Sequence, residues 1–162
     1  MNTNAQDSLA SVSSAFHGAS GPAKLKCPES GWWFEWEGMD IAKALLDLDP
    51  KDIQYEDIIH PIDGSFVPSW TTTDALLWLV PGMIRVCFEV DSQTGDQLYQ
   101  DILTELHKRL AEDGLTFSVP QIESLLNVHE ALYCTEAFDW RPDSHSHPLL
   151  EAQKSEHASG QA

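Results

Sequence analysis

An α+β fold is what the sequence predicts: a single small domain with a mainly antiparallel sheet of about four to five strands, packed by about three to four helices. Three observations lead there. Residues 32–37 and 84–90 alternate along the chain with period two, the pattern of strands with one buried face. Leu98, Ile102, Leu103, Leu106 and Leu110, and later Ile122, Leu125, Leu126, His129, Leu132 and Tyr133, recur at helical spacing. Between two apolar runs stands Asp63-Gly64, the most specific turn signal in the chain. A length of 162 residues with 42% hydrophobic content suits one core.

Residues 1–28 are small and polar, with Gly18, Gly21 and Pro22 as punctuation, and offer too little apolar surface to offset the entropy of ordering. They read as a flexible N-terminal arm. The acidic α+β domain covers residues 29–140 and opens with a strand in which Trp32, Phe34 and Trp36 point one way and Trp33, Glu35 and Glu37 the other. Gly38 breaks the strand, and Ile41, Leu45 and Leu48 then mark a short helix that Asp49 and Pro50 end. Residues 53–69 read as a hairpin around Asp63-Gly64, carrying Ile53, Tyr55, Ile58, Ile59, Ile62, Phe66 and Val67, with Pro61 and Pro68 requiring at least one arm to lie at a sheet edge or be short.

Thr72 or Thr73 caps a helix over residues 74–80, which Pro81 and Gly82 close. The clearest strand follows, with Ile84, Val86, Phe88 and Val90 alternating with Arg85, Cys87 and Glu89. Thr94 and Gln97 form a capping-box pattern for the helix that Gly114 stops after Asp113. A strand over 115–118 leads to a second such pattern, Ser118 with Gln121, and to a last helix over 119–134. Phe138 and Trp140 return to cover the core. Residues 141–162, with Pro142, Pro148 and a Ser-, His- and Gln-rich end, read as a flexible C-terminal tail.

The formal charge is -17, from 26 acids against 9 bases. By segment it is +1 over 1–28, -10 over 29–93, -6 over 94–141 and -2 over 142–162, so the acidity belongs to the domain and not to a tail. A field of that sign repels nucleic-acid phosphate and anionic membranes, attracts basic surfaces and keeps a small protein in solution. Cys27, Cys87 and Cys134 are odd in number and lack a CxxC pair, which argues against a disulfide framework or a zinc ribbon and for a cytoplasmic setting. The N-terminus carries no signal-peptide pattern, and the longest apolar run, residues 75–80, is far short of the roughly 20 residues that cross a bilayer.

Catalytic and metal patterns are weak. His129-Glu130-Ala131-Leu132-Tyr133 resembles the zinc-protease pattern only until Tyr133, where the chemistry needs a second imidazole on the same helical face. His129 lies on an apolar stripe and suits a core histidine better than a base. His60 and Asp63, with Glu56 and Asp57 near them, have the group types of an acid/base or metal site, but with 26 acids in the chain such clusters arise by chance and a solvated turn explains them better. His145 and His147 fall in the tail, which rarely builds a selective metal site. The chain has no phosphate loop and no nucleophile elbow. The helix over 119–134 carries Glu123 and Glu130 but no Lys or Arg, which argues against DNA reading through it. The sequence therefore assigns no catalytic residue, no metal ligand and no cofactor.

Trp32, Trp36, Trp70 and Trp78 are read as core, whereas alternation places Trp33 beside Glu35 and Glu37, where an aromatic ringed by acids can anchor a basic partner. The expected partner-binding residues are Trp33, Glu35, Glu37, Asp40, Asp47 and Asp49. Asp47 and Asp49 sit where the dipole at a helix C-terminus disfavours anions, which hints at use outside the fold. The expected function is a non-enzymatic inhibitor, immunity factor or regulatory adaptor that engages a protein with a basic surface, including a nucleic-acid-binding protein. DNA mimicry is its sharper form: ten carboxylates at phosphate spacing imitate about 17 Å of duplex axis. A small enzyme built around His60 and Asp63 or around His129, and a structural subunit that buries the Trp-rich sheet, are the alternatives.

Overall fold

Thr72 starts the helix around which the rest packs, its hydroxyl accepting a hydrogen bond from the Ala75 N–H at 3.4 Å. The computed structural model describes residues 3–18 and 37–133. Among them are six α-helices: α1 (Thr3–Ala15), α2 (Glu37–Leu46), α3 (Tyr55–Ile58), α4 (Thr73–Glu89), α5 (Ser92–Glu112) and α6 (Val119–Tyr133). Two 3-10 turns, Pro50–Asp52 and Val67–Trp70, link the smaller ones. No strand or sheet forms among the described residues, where an isolated antiparallel bridge joins Ile59 and Phe66. The expected antiparallel-sheet α+β fold is thus corrected to a helical one.

The main error lies in α4. Of the residues read as a strand, 84–90, all but Val90 continue the helix that Pro81 and Gly82 were expected to close. Proline inside a helix costs about 3 kcal/mol. Val80, Met83, Ile84 and Val86 are buried around it, at roughly 1.5–3 kcal/mol each, which outweighs that cost. Because α4 is buried on more than one face, apolar residues occupy positions of either parity and imitate alternation. Arg85 and Glu89, read as the polar face of a strand, pair with each other one helical turn apart. Gly82 is where the Pro50–Asp52 turn meets the helix: a Cβ there would lie 2.2 Å from the Pro50 carbonyl oxygen.

Asp91 caps α5, accepting hydrogen bonds from the N–H groups of Gln93 and Thr94, both at 3.1 Å, so the helix begins ahead of the expected Thr94. Gly95 lets α5 fold straight back on α4, since a Cβ there would lie 2.2 Å from the Cys87 carbonyl oxygen. At the far end, Gly114 adopts φ 66° and ends the helix as its sequence indicated. Residues 115–118, expected as a strand, are irregular. Gln121 accepts the Ser118 N–H at 2.9 Å, the second half of the anticipated capping box for α6.

Tyr99, fully buried on α5, donates its hydroxyl to the Leu125 carbonyl at 2.7 Å and ties α6 to α5; burial pushes the phenol pKa well up. Residues 3–15, inside the expected flexible arm, form α1, which packs on α6 and α4 and buries Ala5 and Val12, with Phe16 buried just past its end. Helix α2 and the short α3 cover the entry to α4. Trp70 and Trp78 pack half-buried against the core as expected, while residues 32–36 of the expected strand, Phe138, Trp140 and residues 141–162 lie outside the described residues.

Arg109 holds the two ends of this arrangement together. Fully buried on α5, it donates to Glu105 at 2.7 Å, to Asp113 at 3.3 Å and to the carbonyls of Ser69 and Thr71, both at 2.9 Å. Its guanidinium thus fastens the C-terminal half of α5 to the backbone just before α4.

Candidate functional site

The acidic corner runs from α2 through the Pro50–Asp52 turn to α3 and the turn at residues 60–65. Of the anticipated contact residues, Trp33 and Glu35 lie outside the described residues, and Glu37 is the first residue of α2. The period-two reading that set Trp33 and Glu35 beside Glu37 therefore fails at Glu37, which is helical. Asp40, Asp47 and Asp49 are all exposed on this corner. Asp40 lies 3.4 Å from the Lys43 Nζ.

Asp49 turns out to stabilise the chain locally. It caps the 3-10 turn, accepting the Lys51 N–H at 3.1 Å, with the Lys51 Nζ 3.0 Å from its other oxygen. Those hydrogen bonds, backbone first, hold its carboxyl below the usual value, while Asp49 in turn raises the Lys51 pKa. The argument that Asp49 opposes local stability is thereby overturned. Asp57 has a similar task, accepting the Gln54 N–H at 2.8 Å at the start of α3. Asp52 and Glu56 are exposed on the same corner.

The corner is poor in uncommitted cations. Lys43 and Lys51 pair with Asp40 and Asp49, Arg85 with Glu89, and Arg109 with Glu105 and Asp113. From residue 52 to residue 84 the chain carries Asp52, Glu56, Asp57, Asp63 and Asp74 and no Lys or Arg.

The expected hairpin reduces to a tight turn. His60 N–H donates to the Ser65 carbonyl at 2.8 Å, Gly64 N–H donates to the His60 carbonyl at 2.9 Å, and Gly64 takes φ 70°. Asp63 accepts the Ser65 N–H at 2.9 Å, and hydrogen bonds from Ser65, side chain first, hold its carboxyl below the usual value. His60 Nδ1 stands 2.9 Å from the other side of this turn, at Asp63 Oδ1, and its ring meets the edge of Trp70 at 5.9 Å. His60 and Asp63 thus brace the turn.

The second alternative centre is built around His129. His129 is half-buried on α6, its ring 4.4 Å from Tyr133 and 6.3 Å from Tyr99, while Glu130 is exposed. Tyr133 donates its hydroxyl to Asp96 and accepts from Gln100 at 2.8 Å; burial, then the bond to Asp96, raises the phenol pKa. Cys87 is buried and its thiol pKa is driven up by desolvation, the opposite of what a nucleophile needs. Among the described residues no three His, Cys, Asp or Glu side chains gather as a metal would require, and no helix is long and apolar enough to cross a membrane. A groove of about 470 Å³ runs between α1, the Pro50–Asp52 turn and α4, walled by Phe16, Trp78 and Pro81, with Lys51 and Arg85 already engaged by Asp49 and Glu89.

No protein-family model, curated protein or solved structure matches this chain. Two features escaped the sequence reading. Arg109 was not singled out, although Glu105 and Asp113 stand one turn to either side of it. Ile62 was counted among the apolar residues of the hairpin, yet it is 80% exposed.

Proposed function

We propose that this chain is a non-enzymatic binding protein, an inhibitor, immunity factor or regulatory adaptor, which engages a basic surface on another protein through its acidic corner. The observation that supports this reading most is the disposition of charge. Lys43, Lys51, Arg85 and Arg109 are engaged by the chain's own carboxylates, while Asp47, Asp52 and Glu56 stand exposed on one stretch. Such a surface steers cationic partners and rejects polyanions. A cytoplasmic setting belongs to the same reading, supported by the buried free thiol of Cys87. DNA mimicry is its sharper form, in which the partner is a nucleic-acid-binding protein and this chain competes with DNA for it.

The test is affinity capture from the native host at low and high salt, with the chain and with a variant bearing Asp40→Lys, Asp47→Lys, Asp52→Lys and Glu56→Lys. Asp49 is left in place because it caps a turn. A specific partner held at low salt, released at high salt and bound roughly tenfold or more weakly by the reversed variant supports the reading. Equal capture by both proteins at physiological salt overturns it, provided the variant keeps its helical circular dichroism.

A further inference from the structure

An isolated aliphatic side chain on a protein surface is ordinary. Ile62 differs in how it is presented. Among the described residues the large hydrophobic side chains left exposed are Ile62 at 80% and Val119 at 51%. Ile62 stands at the tip of the 60–65 turn, which is closed by the His60–Ser65 and Gly64–His60 backbone hydrogen bonds and the Ile59–Phe66 bridge. Asp63 braces it from within, and His60, only 7% exposed, fixes it against Trp70. The backbone under Ile62 is therefore set before any partner arrives, which lowers the ordering cost of a contact.

The surroundings define the partner's chemistry. Asp63 is in the turn and exposed, Glu56 is exposed on α3 just before it, and no Lys or Arg occurs between residues 52 and 84. We propose that this turn is a rigid contact knob, with Ile62 as its apolar anchor, which docks into an apolar depression rimmed by lysine and arginine on a basic protein surface. An apolar side chain driven into a desolvated pocket, with complementary charge around it, is the usual anatomy of a binding hot spot. The inference rests on the proposed recognition of basic surfaces and adds to it the point at which contact is made.

Two synthetic peptides of equal positive charge test it, one alternating lysine with leucine and one alternating lysine with serine. Each is titrated at low salt into the full chain and into Ile62→Ser, with methyl NMR of Ile62 recorded alongside. The full chain should prefer the leucine peptide by about tenfold, the scale of burying one aliphatic side chain. The Ile62 methyl signals should shift with that peptide, and Ile62→Ser should bind the two peptides alike while melting at the parent temperature. No preference in the full chain, or a preference that survives in Ile62→Ser, overturns the knob and leaves the acidic corner standing. Failure of both peptides to bind at low salt overturns the recognition of basic surfaces and the knob with it.

Discussion

Replacing Arg109 with methionine keeps a long side chain in the same space but removes a charge and five N–H donors. In the native chain those donors serve Glu105, Asp113 and the carbonyls of Ser69 and Thr71. The substitution therefore strands a carboxylate that is only 6% exposed and two backbone acceptors at the entry to α4. Removing one partner of a buried ion pair costs about 3–5 kcal/mol, a large share of the roughly 5–15 kcal/mol that holds a domain together. The expected fall in melting temperature is about 10–20 °C. Urea titration followed by circular dichroism and by tryptophan fluorescence measures the loss. Adding Glu105→Leu removes the stranded charge and should restore about 1–3 kcal/mol, leaving the two carbonyls as the residual cost. A loss under about 1 kcal/mol in the single variant, or a double variant no more stable than the single, refutes the account of Arg109 as the clasp.

Gly82→Ala sets two effects against each other: the helix gains about 1 kcal/mol of propensity, but the new Cβ would lie 2.2 Å from the Pro50 carbonyl oxygen and 2.9 Å from its carbon. Backbone cannot swing aside as a side chain would, so a net loss of about 1–3 kcal/mol is expected, and a melting temperature at or above the parent's refutes the close packing. Asp101 is half-buried on α5, and burial raises its carboxyl pKa despite the hydrogen bond from Gln97. A pKa raised above the unfolded value means stability that is present at acid pH and lost as pH rises through the folded pKa. Asp101→Asn should therefore melt higher than the parent at pH 7, with the gain shrinking as pH falls through the raised carboxyl pKa and gone below the ordinary carboxylate range; a lower melting temperature at pH 7 contradicts it.

Local signals that act over a few residues were readable: a cap at Thr72 or Thr73, Gly114 as a helix stop, half of the capping box of Ser118 with Gln121, and the apolar stripes of α5 and α6. The class of the fold was not, because it turned on residues 81–90. There the Pro81-Gly82 pair satisfies a rule for ending helices, and the burial that carries the helix through it, with Pro50 set against Gly82, is tertiary. That contact spans about thirty residues of sequence and leaves no periodic trace. The i,i+4 pair Arg85 and Glu89 was the one local clue to helix. For α1, low hydrophobicity suggested disorder, yet Val12 and Phe16 are buried by surfaces on α4 and α6 that the N-terminal sequence does not contain. At the candidate site, exposure of Asp40 and Asp47 followed from their charge, whereas the capping role of Asp49 needed its backbone geometry.

The acids of the corner divide into two groups, and the division separates recognition from solubility. Asp49, Asp57 and Asp63 each accept a backbone N–H within a turn or at a helix start, so their positions are fixed by the local fold. Among the described residues, Asp47, Asp52 and Glu56 cap no backbone N–H; Asp52 and Glu56 stand in the first turns of their helices, where the dipole favours a carboxylate only weakly, and Asp47 lies past the end of α2. Solubility depends on net charge and is indifferent to where each charge sits. Recognition depends on position, because a partner's cations meet particular carboxylates around a particular apolar contact. Reversing Asp47, Asp52 and Glu56 therefore changes the field of the acidic corner while the three bracing acids keep their backbone bonds, so a binding defect there with unchanged helicity is a defect of position.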